Sequence, residues 1–116
     1  MITFVVPGNP LPKERPRFAG GHAYTSDSTR DYEATVALYA REAMGGSAPL
    51  EGDLSVSLAF WRADRRLVDL DNFCKVVCDA MNGIVWHDDV QIVKLAATKD
   101  TDRGRPRVEV RVTVWK

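Results

Sequence analysis

The residues best able to do chemistry in this 116-residue chain are carboxylates concentrated between positions 69 and 89. The aspartates there are Asp69, Asp71, Asp79, Asp88 and Asp89, against the single lysine Lys75. Because like charges repel, a fold gathers such a group either on a solvated surface or around a bound cation. Carboxylate oxygens favour a hard cation, so Mg²⁺ is the expected ion, with Mn²⁺ as a possible substitute.

The spacing of the carboxylates suggests how they would meet. Asp69 and Asp71 are separated by one leucine, and residues two apart in an extended backbone point to the same side. Asp88 and Asp89 follow the apolar residues 84–86 and precede a predicted strand. If that strand lies beside the helix that begins near Asp71, one member of this second pair would complete a three-carboxylate site.

The same residues also have simpler explanations. Asp71 suits the N-cap of a helix, and Asp88-Asp89 suits a turn before a strand. Lys75 lies one helical turn after Asp71. It would either form a surface ion pair with Asp71 or Asp79 or stabilise negative charge on a reacting phosphate. Spacing alone leaves these alternatives open.

Hydrophobic periodicity predicts the elements that must position these residues. Strands are expected at residues 2–6, 22–25, 53–63, 90–98 and 108–115, and helices at residues 26–44 and 71–81. This order predicts one α+β domain over residues 1–116. Its main elements run β-α-β-α-β-β, forming a small mixed, partly antiparallel sheet with two main helices packed on one face. The last two strands are expected to form a hairpin through the basic residues 99–106.

The second predicted helix has two distinct faces. Its apolar positions fill an arc of roughly 160° and are Phe73, Cys74, Val77, Cys78, Ala80 and Met81. Its polar arc carries Asp71, Asn72, Lys75, Asp79 and Asn82. The two cysteines lie four residues apart on the apolar face, so we interpret them as buried free thiols.

Basic residues flank the acidic stretch. They are Lys13, Arg15 and Arg17 in a proline-rich N-terminal loop, and Arg65 and Arg66 just before Asp69. The fork of an arginine matches phosphate oxygens, so these residues are candidate nucleic-acid contacts, the alternative being a solvated charged loop. An acidic centre with basic flanks suits an anionic ligand that reaches the carboxylates through a metal.

The composition favours a cytoplasmic protein that has no membrane partner. No apolar run approaches 18 residues, which a membrane-spanning helix requires. The first residues lack the basic start and the cleavage site of a signal peptide.

A longer pattern joins these features. It consists of Asp69-Leu70-Asp71-Asn72, Lys75, Asp79, Gly83 and Asp88-Asp89, preceded by Pro7-Gly8-Asn9-Pro10, Arg15-Pro16-Arg17 and Tyr24-Thr25. On these residues the chain resembles the RusA family of Holliday junction resolvases, and the likeness spans most of the domain.

The resemblance implies a homodimeric, Mg²⁺-dependent endonuclease, often encoded by phages or prophages, that nicks four-way DNA junctions symmetrically. It implies Asp69, Asp71 and Asp89 as metal-binding catalytic carboxylates and Lys75 as the essential lysine. Asn72, Asp79 and Asp88 are expected to support them. The metal would activate a water that hydrolyses the phosphodiester, and a two-fold dimer would suit a two-fold symmetric junction.

Two other functions stay open at this point. A non-catalytic junction-binding accessory protein of recombination would need only the basic residues. A metal-dependent nuclease acting on another branched DNA or on RNA would use the same carboxylates on a different substrate.

Overall fold

A mixed four-stranded sheet carries two helices on one face. The computed structural model describes residues 1–13, 17–19, 22–24 and 27–116, with side chains for residues 1–13 and 28–116. Its elements are β1 (Ile2–Pro7), β2 (Arg17–Ala19), β3 (His22–Tyr24), α1 (Asp27–Met44), β4 (Leu54–Arg62), α2 (Leu70–Met81), β5 (Ile92–Thr101) and β6 (Arg107–Val114). The predicted α+β fold and the order of its main elements are confirmed. Within the described residues, no helix is both long and apolar enough to cross a membrane.

The strands of the main sheet lie in the order β1-β6-β4-β5. β4 pairs antiparallel with β6 and parallel with β5, and β6 pairs antiparallel with β1. The predicted hairpin between the last two strands is therefore wrong, because β4 lies between them. Residues 102–106 instead pass over the end of β4, where the backbone N–H of Asp102 donates to the carbonyl of Arg62 at 2.7 Å.

The core lies between the helices and the covered face of the sheet. In β4 every second residue from Leu54 to Phe60 is buried on that face, as the alternating pattern predicts. α1 contributes Tyr32, Val36, Ala40 and Met44 to the core. The predicted apolar arc of α2 is buried throughout and Val76 joins it. The rings of Phe60 and Phe73 stack with centroids 5.1 Å apart, which joins β4 directly to α2.

A short helical turn delays the start of β5. Asp89–Gln91 form a 3₁₀ helix, so β5 begins at Ile92 rather than at residue 90. The Asp88 carboxylate accepts from the N–H of Val90 at 3.1 Å, and the Gln91 side chain accepts from the N–H of Asp88 at 3.2 Å. Asp88 thus has the turn-forming role that was one of its two interpretations.

The N-terminal loop contains a second, smaller sheet. β2 pairs antiparallel with β3, with Arg17 opposite Tyr24 and Ala19 opposite His22. The predicted short strand is confirmed at residues 22–24, whereas β2 lies where an extended loop is expected.

The loop that follows β1 supports the end of β4. The Asn9 side-chain oxygen accepts from the N–H of Ala63 at 2.8 Å, and the Pro10 carbonyl accepts from the Arg62 guanidinium. Arg62 is buried, and its guanidinium also lies over the ring of Phe73 at 5.8 Å. This loop therefore fixes the point at which the chain leaves β4 for the acidic stretch.

Replacing Asn9 with alanine is expected to lower the free energy of unfolding by about 1–2 kcal/mol, because the partly buried N–H of Ala63 loses its acceptor. Asn9→Asp keeps an acceptor oxygen in the same place and is the matched control. Urea denaturation of the three proteins measures the difference. Equal unfolding midpoints for Asn9→Ala and the native chain would contradict the supporting role.

Candidate active site

A cavity of about 730 Å³ opens between α2 and the start of β5. Its apolar lining consists of Leu70, Cys74, Cys78, Ile92, Leu95 and Ala97. Its charged lining consists of Asp71, Lys75 and Asp89. Three of the residues predicted to be catalytic therefore share one cavity, although they come from two separate elements.

The local fold explains this arrangement. Asp71 and Lys75 are four residues apart on α2, so both lie on the helix side opposite its buried arc. Asp89 begins the 3₁₀ helix that leads into β5. β5 is the strand next to β4 in the sheet, and α2 covers it only in part. Asp71 and Lys75 on the helix and Asp89 before the strand therefore line a common opening.

Asp69 occupies the N-cap position of α2. Its carbonyl accepts from the N–H groups of Asn72 and Phe73 at 3.1 and 3.4 Å, but its carboxylate makes no capping hydrogen bond. The alternative that Asp71 caps the helix is wrong, since Asp71 lies inside the first turn. The Asp69 side chain is exposed and does not line the cavity, so its predicted role as a ligand stays a prediction.

The neighbouring carboxyl groups of Asp88 and Asp89 shift each other's pKa. A hydrogen bond shared with Asp88, some burial, and the charges of Asp88 and Asp79 raise the pKa of the Asp89 carboxyl. The N–H of Val90 lowers the pKa of Asp88, and the bond to Asp89 lowers it further. In the lining of the cavity, the two carboxylates of Asp71 and Asp89 outnumber the single ammonium of Lys75, so its formal charge is negative.

The side chains that could bind a metal in the cavity do not enclose a complete site. Within the described part of the chain, no three Asp, Glu, His or Cys side chains converge into a ready-made metal site. The cavity offers two carboxylates, those of Asp71 and Asp89. Mg²⁺ in proteins is commonly held by one or two carboxylates and retains waters that substrate phosphates replace. These residues therefore fit Mg²⁺ bound together with a phosphodiester, and they do not form a closed protein cage.

Buried thiols complete the lining of the cavity. Cys74 and Cys78 are free and buried, as predicted. Burial raises the pKa of both thiols, with a contribution from the Asp71 charge at Cys74, and brings Cys78 to about 12. Both thiols are therefore protonated at neutral pH and unsuited to act as nucleophiles.

Lys75 is exposed and makes no ion pair with any described residue. The surface pair with Asp71 or Asp79, one of its two interpretations, is absent. Asp79 pairs instead with Lys13, at 3.4 Å. The Lys75 ammonium is therefore available to a ligand in the cavity.

Lys13 connects three segments of the chain. Its ammonium lies 2.6 Å from Glu33 on α1 and 3.4 Å from Asp79 on α2, and its backbone N–H donates to the carbonyl of Asn72 at 3.0 Å. Burial lowers the pKa of Lys13, but Glu33 and Asp79 outweigh that effect, so the pKa is raised. The predicted contact of Lys13 with nucleic acid would have to compete with these two carboxylates.

The structure describes three of the other four predicted nucleic-acid contacts, one of them by its backbone alone. Arg15 falls outside the described residues, and Arg17 begins β2, where only the backbone is described. Arg65 and Arg66 are exposed. They line a second cavity of about 240 Å³ that also contains Arg62, Asp64, Leu67, Phe73, Lys99, Asp100 and Thr101.

Lys99 is not among the candidate site residues predicted from the sequence. Its ammonium donates to the carbonyl of Val68, the residue before Asp69, at 2.6 Å. The sequence pattern places Lys99 in the loop of residues 99–106, whereas the structure places it in β5, in register with Phe60 of β4 and so on the helix side of the sheet. The contact itself spans 31 positions and depends on how the strands pair.

Replacing Lys13 with glutamine is expected to lower the free energy of unfolding by about 1–3 kcal/mol, since two part-buried carboxylates lose their cation. Lys94→Gln, on exposed β5, is the control and should change stability by less than about 0.5 kcal/mol. If Lys13 instead contacts phosphate, the variant would keep native stability. The log-log salt dependence of its DNA affinity would then fall by about one unit.

Comparison with known proteins shows one family match over nearly the whole chain. The family model described as Endodeoxyribonuclease RusA matches residues 7–113, which include α2, the 3₁₀ helix and every residue that lines the 730 Å³ cavity. No curated protein matches the chain. RusA is a family of endonucleases that resolve Holliday junctions, and the match confirms the resemblance seen in the sequence. The chain therefore belongs to the RusA endodeoxyribonuclease family.

Proposed function

We propose that this protein is a Mg²⁺-dependent endonuclease that resolves four-way DNA junctions by paired symmetric nicks. The observation that carries the proposal is the cavity in which Asp71 and Lys75 of α2 meet Asp89 of the 3₁₀ helix, in a chain of the RusA family. Each of the three charged groups is exposed enough to reach a bound phosphodiester.

Asp71 and Asp89 are the residues proposed to hold the cation from this cavity. Asp69, two residues before Asp71 and free of any capping bond, is proposed as the third carboxylate. Bound Mg²⁺ would supply Lewis-acid polarisation of the phosphodiester and of the attacking water. Asp71 and Asp89 line this cavity together with apolar side chains, so the charged groups that share it with them are limited to Lys75.

Lys75 is proposed to stabilise the negative charge that develops on the phosphate during hydrolysis. Its ammonium lies one helical turn from Asp71 and is engaged by no carboxylate of the described residues. A preorganised cation directed at developing charge commonly contributes a large part of the rate enhancement.

Basic residues outside the cavity are proposed to bind the DNA backbone. Arg65 and Arg66 are exposed and precede Asp69 by a few residues, so they would hold phosphates beside the reacting one. Arg17 is proposed for the same role. Such contacts are needed because the chain has a formal net charge of zero and the cavity itself repels DNA.

Two symmetric nicks require two active sites, and the described residues of each chain form one cavity that contains the predicted catalytic groups. We therefore propose a two-fold homodimer, in which each subunit cuts one strand of the junction. The proposed place of action is the cytoplasm, where the substrate DNA of recombination and repair lies.

Asp71→Asn is expected to lower junction nicking by about 100-fold or more, because a carboxylate ligand of the cation is lost. Junction affinity measured without Mg²⁺ should be equal or higher, since one repulsive charge is removed. Asp53→Asn, an exposed aspartate outside both cavities, is the control and should nick at the native rate.

The nicking assay compares Mg²⁺, Mn²⁺ and a chelator on a labelled four-way junction. Undiminished nicking by Asp71→Asn would overturn the ligand role. Binding without nicking under every divalent ion would favour a non-catalytic junction-binding protein. Faster cleavage of a flap or a branched RNA than of the junction would favour the other nuclease.

Arg65→Gln combined with Arg66→Gln is expected to reduce the log-log salt dependence of junction affinity by about two units, because each arginine releases about one counterion. Stability should stay native, since both side chains are exposed. Arg103→Gln, on the exposed loop before β6, is the control. An unchanged salt slope in the double variant would place the phosphate contacts elsewhere.

A further inference from the structure

The segment that joins β4 to α2 is held by hydrogen bonds at its start and again just before the helix. At its start, Ala63 is bound by Asn9, and Asp64 accepts from the N–H of Arg66 at 3.1 Å. Further along, Leu67 is 94% exposed and contributes nothing to the core. The next carbonyl, that of Val68, accepts from the Lys99 ammonium at 2.6 Å.

We propose that Lys99 is a positioning residue of the active site, which holds the Val68 carbonyl and so fixes the Asp69-Leu70-Asp71 backbone relative to β5. The inference rests on the proposed function, because it assigns Lys99 a task within the same catalytic arrangement. Lys99 does not line the 730 Å³ cavity, so its influence would pass through the backbone it holds.

The geometry of β5 explains why this residue is suited to the task. Lys99 is in register with Phe60 of β4, and Phe60 is buried on the face that the helices cover. The Lys99 side chain therefore leaves the sheet on the side of α2, and it lines a small cavity with Phe73 of that helix. Its long stem then reaches the chain just before the helix begins.

β5 also connects the two acidic segments. Asp89 lies in the turn that leads into β5, whereas Lys99 lies near the end of the same strand. Asp89 and Lys99 are thus joined by one strand. The hydrogen bond from Lys99 to the Val68 carbonyl therefore sets the position of Asp69 and Asp71 relative to that of Asp89. Errors of about 1 Å in such an arrangement commonly reduce catalysis by about 100-fold.

The partner of Lys99 is a neutral carbonyl. Within the described residues no carboxylate lies within ion-pair distance of its ammonium. The positive charge is thus held beside the acidic motif without being cancelled. A methionine at this position would keep most of the stem and remove the donor, whereas an arginine would restore a donor.

The test compares Lys99→Met, Lys99→Arg and the control Lys94→Met, which changes an exposed lysine on the same strand. Lys99→Met should nick junctions about 10–100-fold more slowly and need several-fold more Mg²⁺ for half-maximal rate. Its junction affinity without Mg²⁺ should stay within about two-fold of native. Lys99→Arg should recover most of the rate, and Lys94→Met should match the native protein.

A second readout is independent of activity. Amide hydrogen exchange without Mg²⁺ should quicken by about 10-fold at Asn72 and Phe73, whose N–H groups donate to the Asp69 carbonyl, in Lys99→Met, while the rest of the chain keeps native protection. A purely structural role would instead lower the global unfolding midpoint and speed exchange throughout. That outcome would overturn the inference.

Two further results would also overturn it. One is a native rate and a native Mg²⁺ midpoint in Lys99→Met. The other is weaker junction binding with a lower salt slope and unchanged exchange, which would make Lys99 a direct phosphate contact. If the native protein nicked nothing under any divalent ion, the proposed function would fail, and the exchange measurement would still decide whether Lys99 fixes this segment.

Discussion

The parallel pairing of β4 with β5 is the constraint on which the arrangement of this protein depends. Antiparallel neighbours can be joined by a tight turn, but parallel neighbours need a crossover, and here it contains α2. Both acidic segments lie within this crossover, since Asp69 and Asp71 lead into the helix and Asp88 and Asp89 return the chain to the sheet. The candidate active site is thus a consequence of how two central strands pair.

The crossover must stay folded while it presents unpaired charges. Its helix does so by dividing its faces: Phe73, Val76 and Met81 are fully buried, and full burial of such side chains contributes about 1.5–3 kcal/mol each. The Phe60–Phe73 stack and the Arg62 guanidinium over Phe73 fix the first turn of α2. Burial on one face therefore compensates for mutual repulsion among the carboxylates on the other, a common arrangement where function opposes stability.

Sequence reasoning identified what depends on local pattern and missed what depends on pairing. The faces of α2 follow from a 3.6-residue period, and its observed start is one residue from the predicted one. The neighbours of β5 do not follow from any period, so the hairpin prediction was wrong. Lys13 illustrates the same limit, because its partners Glu33 and Asp79 are remote in sequence and become visible only when α1 and α2 are packed.

The fold also decides which basic side chains are available to bind DNA. A chain with a formal net charge of zero cannot rely on its overall field to attract a polyanion, so its basic residues must be divided by role. Arg62 and Arg107 are bound by carboxylates at the ends of their strands, and Arg107 also lies over Trp61 at 4.8 Å. Arg65, Arg66 and Lys75 make no side-chain ion pair with any residue that the structure describes. Composition does not distinguish these residues. In the fold, Arg62 and Arg107 contribute to stability, whereas Arg65, Arg66 and Lys75 stay available to a ligand beside the acidic cavity.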